Sequence, residues 1–417
     1  LLIMNDQKIR LYLYRPGILI FFLCLVLGAY GQDENLAKKI GEGEFTFDGR
    51  LRYWYANNES LKASTAFTFG SNFGYLTKTY KGFQIYVEGE SVVAITPDLF
   101  FDGINGLTDR TNITDVETLE LNKLRISYTD TLRDATTLQF KVGRQAAIVE
   151  DERFIGNVNA RQDDQTFDAI MAKIHNQEKG LSFEYAYMYQ INRLIAQVGD
   201  WRSDSHAFRL AYDKNKKARL GLFVHLLDFQ DDAPALSNQT YGLTIDRGQV
   251  PRDRTALTYK AAFAYQSEYG DNPVAYDAFL LNAELGVSIP KAGTFSIGYE
   301  LAGSDDGAAS YQFPLSTGQR LHRISDTFVN PPADGLHNPY FTAETGNIIW
   351  GIGGWLGYHA YFSEIESTML GQEIDIVLYK PIIPGLLTFE FTYSSFFAED
   401  EAYNDLDIFS LDLVFKL

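Results

Sequence analysis

The chain has no apolar run long enough to cross a bilayer as a helix. Its one uninterrupted stretch, Ile18 to Leu27, spans ten residues, about half of what a spanning helix needs. Cysteine is nearly absent, with Cys24 alone inside that run, so no disulfide framework organises the fold. Phe21, Phe22 and Leu23 precede it, which leaves no small residue for a lipoprotein anchor. Basic charge is also short: 36 Lys and Arg stand against 54 Asp and Glu, a net charge of −18, which argues against nucleic acid as a partner. No Gly-x-Ser-x-Gly, His-Glu-x-x-His or phosphate loop is present, and His206 alternates in parity with its neighbour Ser205, so no catalytic pair assembles locally. The reading is a protein without catalytic residues, metal or cofactor.

The chain begins with Lys8, Arg10 and Arg15, then the apolar run, then small residues Ala29 and Gly31, and turns abruptly polar at Gln32-Asp33-Glu34. That order describes an export signal over 1–31. A short periplasmic segment, 32–43, is expected to follow. Removal of residues 1–31 takes three basic residues and one acid and leaves the mature chain more acidic still. Aromatics make up 14% of the residues and charged residues 22%, which excludes a disordered chain.

What the chain has in quantity is alternation. Phe45, Phe47, Gly49, Leu51, Tyr53 and Tyr55 share one parity, and Glu44, Thr46, Asp48, Arg50, Arg52 and Trp54 the other. A strand with one apolar and one charged face has this period. The pattern returns at Phe183–Tyr189, His206–Tyr212, Tyr259–Tyr265, Phe295–Leu301, Ile374–Leu378, Leu387–Tyr393 and Phe409–Leu417. Tyr and Phe at the ends of the apolar parity fit interfacial girdles better than the core of a soluble sandwich. Strands are expected over 44–55, 62–70, 82–94, 118–129, 136–144, 165–174, 181–190, 204–213, 218–228, 239–246, 257–267, 276–288, 293–302, 350–362, 371–380, 386–396 and 406–417. A barrel with both ends in the periplasm needs an even number, so a further strand is placed between Leu336 and Gly346, for about 18 in all. The fold class is therefore all-β: a transmembrane antiparallel up-and-down barrel over 44–417 in the outer membrane of a Gram-negative bacterium. Its surroundings would be lipid and lipopolysaccharide, and its partner in biogenesis the outer-membrane assembly machinery. Long outer loops fall at 95–117, 145–164, 229–238 and 303–335, and Lys214 to Lys217 makes a periplasmic turn.

Two blocks of residues narrow the class further. Gly143-Arg144-Gln145, Arg153-Phe154-Ile155-Gly156, Arg161-Gln162 and Gln165-Thr166-Phe167-Asp168-Ala169 form the first; Phe313-Pro314-Leu315, His322, Asp326, Phe328, Pro331-Pro332 and Gly335-Leu336 form the second. Together they resemble the alginate export family of outer-membrane porins. The resemblance implies a barrel with an arginine-rich lumen that passes anionic polysaccharide or related anionic solutes by passive diffusion. The competing reading is a general or neutral-sugar porin on the same barrel.

Parity gives the lumen independently of the family. If Phe45 faces lipid, Arg50 and Arg52 face inward, as do Lys123, Arg125 and Arg209, while Arg153 and Arg161 sit on the loop between the fifth and sixth strands. A guanidinium matches carboxylates with a planar fork. The same side chains also serve structure if they pair with acids such as Asp48, Glu88, Glu90 and Glu120. Arg144, on the apolar parity, reads with Asp168, Gln145, Phe154 and Phe167 as loop structuring. Gly143 and Gly156 are expected at turns, and His322 and Asp326 fold or gate their loop. The acid pairs Asp151-Glu152, Asp231-Asp232 and Asp305-Asp306 read as solvated loop tips. Mass spectrometry of the protein recovered from outer membranes is expected to show a chain that starts at Gln32; retention of residues 1–31 would contradict the export reading.

Overall fold

A computed structural model describes residues 34–132, 135–147, 152–214, 217–247, 250, 251, 253–318 and 324–417. The expected export signal, Asn215 and Lys216 of the expected turn, and His322 lie outside these residues. A short helix, α1 (Glu34–Gly41), leads into eighteen strands among the described residues. They are β1 (Glu44–Asn58), β2 (Ser64–Leu76), β3 (Phe83–Ala94), β4 (Thr118–Leu132), β5 (Thr136–Gln145), β6 (Thr166–Asn176), β7 (Leu181–Asn192), β8 (Trp201–Tyr212) and β9 (Arg219–Leu227). The second half comprises β10 (Asn238–Asp246), β11 (Ala256–Glu268), β12 (Asp277–Ile289), β13 (Gly293–Ala302), β14 (Leu336–Ile349), β15 (Ile352–Ser363), β16 (Met369–Ile383), β17 (Leu387–Ala398) and β18 (Leu406–Lys416). Strands of this length suffice to cross a bilayer at a tilt.

Each strand pairs antiparallel with its sequence neighbours, and β1 pairs with β18 from Asp48↔Lys416 to Asn58↔Leu406. Leu417 N–H donates to the Phe47 carbonyl at 2.8 Å, and Phe47 N–H donates back at 3.2 Å. No edge remains, which is the condition for a sheet in lipid. The alternation decides what each face meets. Phe45 is 84% exposed and Leu119 78%, whereas Arg52 on the other parity is 4% exposed. Exposed apolar side chains on the outer wall and buried polar ones inside invert the soluble pattern, as lipid demands.

The added strand proves to be β14, and its weak signal has a physical cause. His337 and Pro339 occupy its alternating positions beside Phe341, and Pro339 makes no register pair with β15, where pairing passes from His337↔Phe362 to Tyr340↔His359. Proline lacks the N–H that a ladder needs. The other predicted strands agree to within about three residues at each end, except β2, which runs to Leu76 and so well past its expected end at 70.

Gly143, expected at a turn, lies instead inside β5, paired with Arg125 and Ala169, at a position that tolerates only glycine. Its φ is +117°, and a Cβ there would lie 2.1 Å from the Leu124 carbonyl oxygen of β4. Gly143→Ala is expected to lower barrel stability by about 1–3 kcal/mol, read as an earlier midpoint in urea unfolding; an unchanged midpoint would mean that the backbone there relaxes freely.

Candidate functional site

Two long loops at the end opposite the termini turn into the barrel, and the wall arginines hold the first. Arg50 of β1 donates through Nη1 to the carbonyls of Ala160 (3.2 Å) and Arg161 (3.0 Å), and through Nη2 to that of Asn159 (3.1 Å). Arg52 donates to the Ala160 carbonyl at 2.9 Å. Gln162 returns the contact, its Nε2 donating to the Arg50 carbonyl (3.2 Å) and to Thr68 Oγ1 (3.0 Å). The loop's backbone carbonyls are thus satisfied by guanidinium donors rather than by water, which lets the chain run inside the lumen.

Arg52 is the most enclosed of these cations. Its Nε lies 2.7 Å from Asp412 Oδ1 on β18, its Nη1 lies 3.6 Å from Asp115 Oδ1, and its guanidinium stacks 4.7 Å from the centroid of Trp54. Arg161 covers the same ring at 4.9 Å and donates to Asp326 Oδ2 at 2.6 Å. Asp326 belongs to the second loop, between β13 and β14. That loop pairs with the first in parallel at Ile155↔Leu315, and Gly156 N–H donates to the Leu315 carbonyl at 2.9 Å. Thr317 Oγ1 donates to Glu152 Oε2 at 2.9 Å.

Apolar packing closes the same region. Phe154 sits 4.6 Å from Phe223 and 6.5 Å from Phe313, centroid to centroid, and Phe167 is fully buried. Arg153 pairs with Glu300 on β13. The second loop is held on its far side by Glu373 of β16, which accepts from the Ser325 amide (2.9 Å) and hydroxyl (2.8 Å).

At the loop roots, Arg144 binds Asp168 through Nε (2.8 Å) and the Leu121 carbonyl through Nη1 (3.1 Å). It therefore ties β5 to β6 and β4. Gln145 is buried and donates to the carbonyls of Gly143 and Ala169. Arg193, just past β7, was not singled out in the sequence, yet it reaches both loops. Its Nη1 donates to Gln165 Oε1 (2.7 Å) and to the Pro314 carbonyl (2.9 Å), and it stacks on Trp201 at 4.1 Å. Burial pushes the Arg193 guanidinium down to about 10, with Asp200 opposing in part. Burial likewise raises the Asp200 carboxyl to about 6.

The remaining expected cations lie on the wall. Lys123 bridges Glu88 (2.6 Å) and Asp164 (3.3 Å), and Arg125 stands over the Tyr86 ring at 5.0 Å. Arg209 approaches Glu184 at 3.7 Å. Of the four acids expected to pair with them, Glu88 alone does so among the described residues. The other carboxylate partners are Asp412, Asp115, Asp164, Asp168, Glu184, Glu300 and Asp326, because register and loop docking, not sequence proximity, choose the pairs.

Two further cations share the wall of β4 to β8. Lys173 lies 2.8 Å from Glu184, and Lys141 stands within the fields of Arg125, Lys173 and Glu184. Lys173 and Arg209 thus meet at Glu184, with Lys141 nearby and Arg125 beside Lys141. Their inward parity, between Phe140 and Val142 for Lys141 and between Ala172 and Ile174 for Lys173, carried the signal that would have found them.

The profile of the family described as "Alginate export" matches residues 55–330. No curated protein matches the chain. Solved structures similar in fold include Pseudomonas aeruginosa OpdL, at 13% identity over 90% of this chain and 99% of that one with a TM-score of 0.66. Pseudomonas aeruginosa OccK8 (OprE) is similar at 13% identity, 91% and 99% coverage and a TM-score of 0.67. Acinetobacter baumannii OccAB4 is similar at 14% identity, 90% and 98% coverage and a TM-score of 0.63.

Arg52→Met is expected to cost about 3–5 kcal/mol, because it strands Asp412 and Asp115 without their cation in a buried site. Urea titration of the refolded barrel measures it, and a loss below about 1 kcal/mol would show that the pair behaves as a solvated surface contact.

Proposed function

Because the chain belongs to the alginate export family and forms an outer-membrane porin barrel, we propose that it is a passive channel for anionic polysaccharide or oligosaccharide of the alginate type, or for related anionic solutes. The observation that carries this reading is the basic wall of β4 to β8, where Lys173 and Arg209 meet at Glu184 and Lys141 and Arg125 stand beside them. Cations gathered on a lumen wall raise the local concentration of anions. A polyuronate carries a carboxylate on every sugar, so it can pass from one weak site to the next, and several weak sites allow exit as well as entry.

The loop arginines have a second role in this account. Arg50 and Arg52 grip the backbone of residues 159–161, so they set the course of the loop inside the lumen while their charge is largely spent on carbonyls and Asp412. Arg153 and Arg161 are similarly engaged with Glu300 and Asp326. That compensation is what favours the second reading, a general or neutral-sugar porin, because a neutralised constriction discriminates little by charge. Pseudomonas aeruginosa OpdK, another structural neighbour at 14% identity, was crystallised with vanillate, and a small aromatic carboxylate falls within the anionic class proposed.

Single-channel current across a planar bilayer tests the choice. Oligouronate is expected to block it in a concentration-dependent way, and Lys141→Glu with Lys173→Glu to raise the half-blocking concentration about tenfold, which corresponds to about 1.4 kcal/mol. Equal block by neutral and uronate oligosaccharides, indifferent to both substitutions, would favour the neutral-sugar porin.

A further inference from the structure

Beside the first loop, three carboxylates from three separate elements converge. Glu90 of β3 stands directly opposite Glu120 of β4 in the register, and Asp163 of the loop joins them. Each offers an oxygen within 4.8 Å of the others. Glu90 and Asp163 are fully buried. Like charges opposed across a strand pair repel, and a buried carboxylate without a counter-charge is among the costlier arrangements a protein can hold.

The neighbouring cation makes no ion pair with Glu90 or Glu120. Lys123 is committed to Glu88 and Asp164, and among the described residues no Lys, Arg or His nitrogen lies within 4 Å of the Glu90 or Glu120 carboxylate. The Asn72 amide, in its donating orientation, reaches Glu90 Oε1 at 3.2 Å. Glu90 Oε2 has no hydrogen-bond partner although no water reaches it. One inward position further along β4, the fully buried Asn122 also has an unpartnered side-chain oxygen, Oδ1, while its amide nitrogen donates to Glu88. Two buried acceptors without donors, Glu90 Oε2 and Asn122 Oδ1, beside three convergent carboxylates have the chemistry of a cation site.

We propose that Glu90, Glu120 and Asp163 bind a calcium ion that fastens the luminal loop to the barrel wall. The donors are all carboxylate oxygens, a hard set that suits Ca²⁺ and not a soft or imidazole-preferring metal. Ca²⁺ holds its oxygens at about 2.3–2.6 Å, so donors on opposite sides of the ion stand about 5 Å apart, and the three carboxylates fit one coordination sphere as they stand. The remaining positions would be taken by second carboxylate oxygens or water. The site differs from the acid pairs at loop tips, of which Asp231 and Asp232 are engaged by Arg202. Sequence spacing conceals it, since its ligands lie on two strands and a loop far apart in the chain. It is independent of the solute assigned to the channel.

Calorimetric titration of the refolded full-length barrel with Ca²⁺, after EDTA treatment, tests the proposal, together with the temperature at which the barrel loses its heat-modifiable gel migration. Wild type is expected to bind Ca²⁺ at a site that Glu90→Gln weakens about tenfold or more, and Ca²⁺ is expected to raise the wild-type transition temperature but not that of Glu90→Gln. Glu120→Gln serves the same comparison if Glu90→Gln does not fold. Equal Ca²⁺ binding by wild type and variant would place the ion at the loop tips and overturn the proposal. So would a wild-type transition indifferent to Ca²⁺ with Glu90→Gln more stable in EDTA, which is the behaviour of a proton-sharing trio.

Discussion

In the middle of a bilayer no water is available to a backbone N–H or C=O, so a sheet that crosses it must close on itself. The pairing of β1 with β18 meets that requirement, and most of the structure follows from it. Closure assigns one parity of every strand to lipid and the other to the lumen. Charge then has one sheltered place to go. The inward-facing acids of the strands thereby come to lie in a lumen where burial rewards a partner, and the fold depends on how those partners are found.

The partners are found largely by the loops. Arg50 and Arg52 on β1 capture the loop between β5 and β6 by its carbonyls, and Arg161 on that loop captures the second through Asp326. Strand-like pairing at Ile155↔Leu315 and the ring contacts of Phe154 make the two loops a single packed insert. Glu300 on β13 and Glu373 on β16 anchor it to further strands. A cation engaged in this way shapes the passage more than it charges it. The solute proposed for the channel rests on the basic side chains of β4 to β8, away from the insert.

The fold was largely legible because its governing rule is local. Strict alternation with aromatic ends marks a strand between lipid and water, and the tight turns fix the direction of each one. The exception, β14, was recovered only by counting, since His337 and Pro339 break its apolar face. The site was legible in part. Parity gave the inward arginines, and the blocks around Gly143 and Phe313 marked the loops that enter the lumen. Which acid each cation meets was hidden, because Asp412 lies 360 residues from Arg52 and Asp326 165 from Arg161. The Glu90, Glu120 and Asp163 cluster was hidden for the same reason, as was the clamp made by Arg193. Contacts of this kind exist only once the barrel has closed and the loops have folded back.

The central functional claim is that the cations of β4 to β8 outweigh the compensated constriction in deciding what passes. The reversal potential of the purified barrel in a planar bilayer under a steep KCl gradient tests it most directly. The account predicts a reversal potential of the sign set by chloride permeation. A cation-selective reversal potential would contradict it and leave the passage governed by luminal acids.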